Sequence, residues 1–112
     1  MNSERKYVAV SIKHTEYRWK FGMPCWLWGY HQTEDDEPRC FSGYTEYLDK
    51  AERYSVKDWD GHYNESIVRR EPVSLSVDFC KKWKDYDTVL VEAEQYEQYC
   101  KLAGIPLSMT TE

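Results

Sequence analysis

The feature that most constrains this chain is its supply of rings: 10 Tyr, 5 Trp and 3 Phe among 112 residues, with aliphatic side chains scarce. A buried aromatic removes about 150–250 Å² from water, so a few rings can replace many leucines in a core. The core is therefore expected to be built largely from aromatic residues. The 41% hydrophobic fraction is that of a globular chain. Rings beyond what the interior can use are left to grip a partner, because exposed Trp, Tyr and Arg dominate binding hot spots. Five indole N–H groups also each need an acceptor, which is hard to arrange if all are buried.

Alternation and capping signals divide the chain. Tyr7 to Ile12 is β-branched and alternating, a first strand. Cys25 to Gln32 reads as a second, with Trp26, Trp28 and Tyr30 on one face and Cys25, Leu27, Gly29 and His31 on the other. The polar run 33–38 turns the chain, and Arg39 to Tyr44 returns as a third strand after a loop of about six residues. Ser55 and Asp58 have the capping-box spacing, which predicts a short helical turn through Trp59. Asp60 to Asn64 is a loop by composition. Glu71 to Val77 alternates apolar residues with serine, as a half-buried strand does, and Asp87 to Val91 is a further strand. Phe79, Cys80 and Trp83 fall on one face of a short helix begun by Ser76 or Asp78. Ala93 to Ala103 reads as the clearest helix, with Tyr96, Tyr99, Cys100 and Ala103 on one face, closed by Gly104 and Pro106. The expected fold is α+β: one domain over residues 1–112, a mostly antiparallel sheet of four to six strands, and two or three helices on one face.

Charge and cysteine usage narrow the function classes. Residues 1–33 carry a net +3 and residues 34–112 a net −8, giving −5 in all. An acidic chain is a poor generic binder of nucleic acid, which needs clustered Lys and Arg. The sequence holds no apolar run of 18 residues and no apolar stretch after its charged start, so neither a spanning helix nor a signal peptide is expected, and the cytoplasm is the default compartment. Cys25, Cys40, Cys80 and Cys100 form no CxxC pair. Four small buried hydrophobes are the simplest reading in a reducing compartment, and disulfides matter only if the protein is exported. A zinc site of Cys25, His31 and Cys40 lacks the paired spacing of structural zinc, and no cofactor motif is present.

Two segments bear on binding. Tyr17-Arg18-Trp19-Lys20-Phe21-Gly22 interleaves rings with cations, followed by Trp26 and Trp28. One reading is a further strand whose aromatic face fills the core. The other is a nucleotide pocket, with Trp19, Trp26, Trp28 and Tyr30 as stacking rings and Arg18 and Lys20 as phosphate partners. Trp59 and Trp83, flanked by charged residues, are expected nearest the surface. An enzymatic alternative would use His31 or His62 as the acid–base group in an aromatic pocket, but nothing in the sequence brings a nucleophile to them.

Residues 6–14, then Trp19 to Cys25, Leu27-Trp28-Gly29, Arg39 to Tyr47, Phe79 to Lys82 and Asp87 to Val91 resemble small proteins carried on phages and integrative elements of Gram-positive bacteria. The resemblance spans most of the chain and assigns no activity, catalytic residue or cofactor. It implies an accessory factor in the host cytoplasm: an inhibitor of host defence that binds a protein effector, such as a CRISPR nuclease, or that sequesters a signalling nucleotide. A homodimer through exposed strand edges is a further expectation.

Overall fold

The computed structural model describes residues 5–19, 21, 23–76 and 78–108. The chain is α+β, with a five-stranded sheet in the order β3-β2-β1-β5-β4. The strands are β1 (Tyr7–Ser11), β2 (Leu27–Trp28), β3 (Tyr44–Thr45), β4 (Val68–Arg69) and β5 (Thr88–Glu92), and the helices are α1 (Ile12–Trp19), α2 (Phe79–Lys82) and α3 (Ala93–Ala103). All pairings are antiparallel except β4 with β5. The expected fold class is thus the observed one.

Both central strands are buried on both faces, which explains their continuous apolar runs. On one face Val8, Val10, Val89 and Val91 meet Ile12 and Trp19 of α1, Phe79 and Cys80 of α2, and Tyr96 and Cys100 of α3. Trp19 packs edge-on to Phe79 at 4.8 Å and stacks on Tyr99 at 4.6 Å. The Cys25 amide donates to Tyr96 Oη at 2.9 Å, tying the lead-in to β2 onto α3. On the other face Ala9 and Leu90 are covered by Tyr54 and Trp59, with Trp28 and Phe41 packed around them. Helices therefore line one side of the sheet, and an aromatic layer carried by loops lines the other.

Several local expectations hold. The Ser55 hydroxyl accepts from the Asp58 amide at 3.2 Å and the Asp58 carboxylate accepts from the Ser55 amide at 2.7 Å, a complete capping box on the 3-10 turn Val56–Trp59. Gly104 ends α3 at φ +74, where a side chain would be strained. All four cysteines are free and buried.

Others are corrected. The segment from Tyr17 is not a strand: α1 runs through Trp19, burying Ile12, Thr15 and Trp19 at helical spacing, while Lys20 and Gly22 lie outside the described residues. The return strand is Tyr44–Thr45, and the ladder continues only through Gly29 N to Gly43 O and Tyr30 N to Ser42 O, so the loop is longer than six residues. What organises that loop is buried Glu52, which accepts from the amides of Thr33 and Cys40 and pairs with Arg39 at 3.1 Å. Within 71–76 no strand forms, although Val73 N donates to Leu90 O at 2.9 Å; the edge strand is Val68–Arg69, and Val77 lies outside the described residues. Ala103 is exposed and does not join the buried face of α3. Trp59, expected near the surface, is 0% exposed because the capping box turns it into the aromatic layer.

Candidate functional site

Where β1 passes into α1, the sheet end opens into a cleft of about 270 Å³ on the aromatic side. Its walls come from distant parts of the chain: Ser11 and His14 from the β1–α1 junction, Trp28 from β2, Tyr44 from β3, Tyr63 from the loop before β4, and Asp87 and Thr88 from the start of β5. Trp28 is the central ring. Tyr44 meets it edge-on at 5.1 Å, Tyr63 is tilted against it at 5.6 Å, and Trp59 supports it from the core at 5.4 Å and 90°. Edge-to-face contacts of this kind contribute about 0.5–1.5 kcal/mol each beyond area burial, so the rings are held in place without a ligand.

The polar groups are equally anchored. Trp28 Nε1 donates to Thr88 Oγ1 at 2.9 Å, across β1. Ser11 Oγ lies 2.8 Å from His14 Nδ1, and the His14 ring sits 4.9 Å from that of Tyr44. Burial pushes the Tyr44 hydroxyl above its ordinary value, the neighbouring Tyr63 and Asp87 add to this, and a hydrogen bond with Ser11 offsets part of it. At the rim Lys13 Nζ and Asp87 Oδ1 are 3.1 Å apart. Tyr63 reaches the cleft because Arg70 clamps its turn: the guanidinium donates to Trp59 O at 2.7 Å and to Tyr63 O. Gly61, at φ +73, allows that turn.

The sequence-derived site residues divide into separate places. Trp28 lines the cleft, and Trp59 lies behind it. Arg18 does not face an open pocket; it pairs with Glu46 and lies 4.6 Å above the Trp26 ring, so both are occupied by each other. Trp19 is core. Tyr30 is exposed and packs on His31 at 4.6 Å. Trp83 is half-buried under the Arg69 guanidinium at 4.5 Å. The buried indole N–H groups of Trp59 and Trp83 have no hydrogen-bond partner among the described residues, whereas those of Trp19 and Trp28 donate to Ser76 O and Thr88 Oγ1. Of the two histidines considered for acid–base work, His62 stacks on Phe41 at 3.6 Å and His31 is exposed beside Tyr30. His14, Tyr44, Tyr63 and Asp87 were not singled out from sequence; the position of His14 three residues after Ser11 was the available signal, once a helix is seen to start at Ile12.

A larger concavity of about 610 Å³ lies on the 60–65 turn beside Arg70. Its guanidinium is already engaged by backbone carbonyls, so the smaller ring-lined cleft is the better-equipped binding site. Among the described residues no group of three His, Cys, Asp or Glu side chains is placed to hold a metal ion, and no helix is long and apolar enough to cross a membrane. Compared with known proteins, the chain matches no protein-family model, no curated protein and no solved structure.

Proposed function

We propose that the chain is a non-enzymatic binding protein whose ligand is a small, flat, nucleotide-like ring compound held in the Trp28–Tyr44–Tyr63 cleft. The observation that carries this reading is the convergence of three rings from three separate segments beside the polar groups of buried Ser11 and Thr88 and exposed His14. Ligand sites combine ring-lined concavity with a few convergent polar groups in this way. At about 270 Å³ the cleft lies just below the roughly 300–1,000 Å³ range of drug-sized sites, room for one ring system. The stacking role expected of Trp28 is kept, while the phosphate role expected of Arg18 is not supported, since that side chain is paired with Glu46. Together with the resemblance to mobile-element proteins, this favours sequestration of a nucleotide-type signal in a host cytoplasm.

Titration with purine and pyrimidine nucleosides, followed by tryptophan emission, tests the proposal. Saturable quenching that is lost in Trp28→Phe is expected; unchanged emission at millimolar ligand would remove it.

One observation favours the second reading, a surface that covers a host protein effector such as a CRISPR nuclease. Tyr17 and Phe21 are 69% and 60% exposed and pack on each other at 5.0 Å, with exposed Met23 nearby in sequence. Under that reading Tyr17→Ser with Phe21→Ser abolishes inhibition of the effector while nucleoside binding is unaltered. Inhibition that survives both changes eliminates this surface.

A further inference from the structure

Stacking holds any base, since every base has a π-face, so what the cleft selects depends on the groups that meet the ring's edge. At its rim those groups are Lys13 and Asp87, an ammonium donor 3.1 Å from a carboxylate with two acceptor oxygens. Asp87 is well placed for recognition because its backbone is fixed on both sides. Its amide donates to Ile67 O at 2.9 Å, and its carbonyl accepts from Ile12 N at 2.7 Å. The backbone that carries the carboxylate is thereby fixed between Ile67, just before β4, and the start of α1. Its side chain is 43% exposed and that of Lys13 is 73% exposed, so both are within reach of a ligand entering the cleft.

We infer that this pair reads the edge of a guanine-type base, an inference that rests on the binding reading above. The pair offers one donor beside two acceptors. The pairing edge of guanine offers the complement: a carbonyl oxygen, a ring N–H and an amino group in a row. The carboxylate takes both N–H groups and the ammonium takes the carbonyl. Adenine and cytosine bring only one donor group to that edge, and uracil sets a carbonyl against the carboxylate. A matched edge adds charge-assisted hydrogen bonds that a mismatched edge cannot make, which is where selectivity arises. The ribose and phosphates contribute little. Lys13 is already opposite Asp87, and His14 is the other lining residue able to carry positive charge.

The experiment is equilibrium titration of the full chain, by calorimetry, with guanosine, inosine, adenosine, cytidine, uridine and guanosine monophosphate. Guanosine is expected to bind roughly 5- to 150-fold tighter than adenosine, the span of one good bidentate base contact. Inosine, which lacks the amino group, falls between them, and the monophosphate matches guanosine to within about threefold. Asp87→Asn removes the preference for guanosine, read as the ratio of guanosine to adenosine affinity. If that variant fails to fold, Lys13→Gln at the exposed partner gives the same reading through a smaller loss of the guanosine margin. Equal binding of all nucleosides, abolished by Trp28→Ala, would retain the stacking site and overturn the edge reading. Binding of the monophosphate but not of guanosine overturns it as well, in favour of a phosphate site. No binding of any nucleoside at millimolar concentration overturns both.

Discussion

The indole of Trp28 reaches across β1 and donates to Thr88 Oγ1 at 2.9 Å, so a ring from β2 is fixed by a hydroxyl from β5. The contact spans the middle of the sheet beside Ser11, which pairs in register with Thr88. It keeps the central ring of the cleft from turning about its side-chain bonds, and binding costs less when such a ring is already oriented.

Thr88→Val preserves shape and removes the acceptor. The indole N–H is then left unpaired, at a cost of about 1–3 kcal/mol. Urea unfolding should show a lower midpoint with an unchanged slope, and nucleoside affinity should fall in parallel. A midpoint equal to that of the wild type would mean that the hydrogen bond does not hold the ring.

Glu52 makes the fold acid-sensitive. Burial alone would raise its carboxyl, but hydrogen bonds from Thr33, Cys40 and Arg53 outweigh burial and hold it below the ordinary carboxylate range. Burial likewise opposes ionisation of Asp58, and hydrogen bonds from Arg5 and Ser55 again prevail. Both carboxyls are more acidic folded than unfolded. Their stabilisation is therefore present above the unfolded values and is lost as pH falls below the ordinary carboxylate range and through the folded values. Glu52→Gln should cost roughly 3–5 kcal/mol at neutral pH, because it leaves Arg39 buried without its anion, and should flatten the acid limb of a stability–pH curve. A variant as acid-sensitive as the wild type would contradict this account.

Gly29 sits where β2 leaves the sheet, at φ +79, and a Cβ there would meet Tyr54 Oη at 2.8 Å and Cys40 O at 2.9 Å. Gly29→Ala is expected to lose roughly 2–5 kcal/mol from the left-handed backbone and the overpacking together. Thermal unfolding would show it. A variant of wild-type stability would mean that the loop packs less closely on Tyr54 than described.

How far the sequence could be read depended on how local each element's cause is. β1, β5, α3 and the Ser55 capping box were legible because their signals lie within a few residues. The segment 17–21 was misleading: Tyr17, Trp19 and Phe21 alternate like a strand, whereas Ile12, Thr15 and Trp19 carried the helical spacing that packing selected. β4 is two residues long and is specified by parallel pairing with β5, twenty residues on, which no local pattern encodes. In the site, the placing of Trp28 on the face opposite Leu27 followed from alternation. The arrival of Tyr63 did not, since it depends on Arg70 gripping the carbonyls of a turn that composition marks only as a loop.

The most direct test of the central claim is a nitrogen–proton correlation spectrum of the indole N–H groups, titrated with guanosine. Its five tryptophans give five indole signals to follow. The account predicts a saturable shift at Trp28, abolished by Tyr44→Ala, while Trp19, Trp26 and Trp83 stay within the scatter of a control titration. A Trp28 signal that does not move at millimolar guanosine, or one that moves no more than that of Trp83, would contradict it.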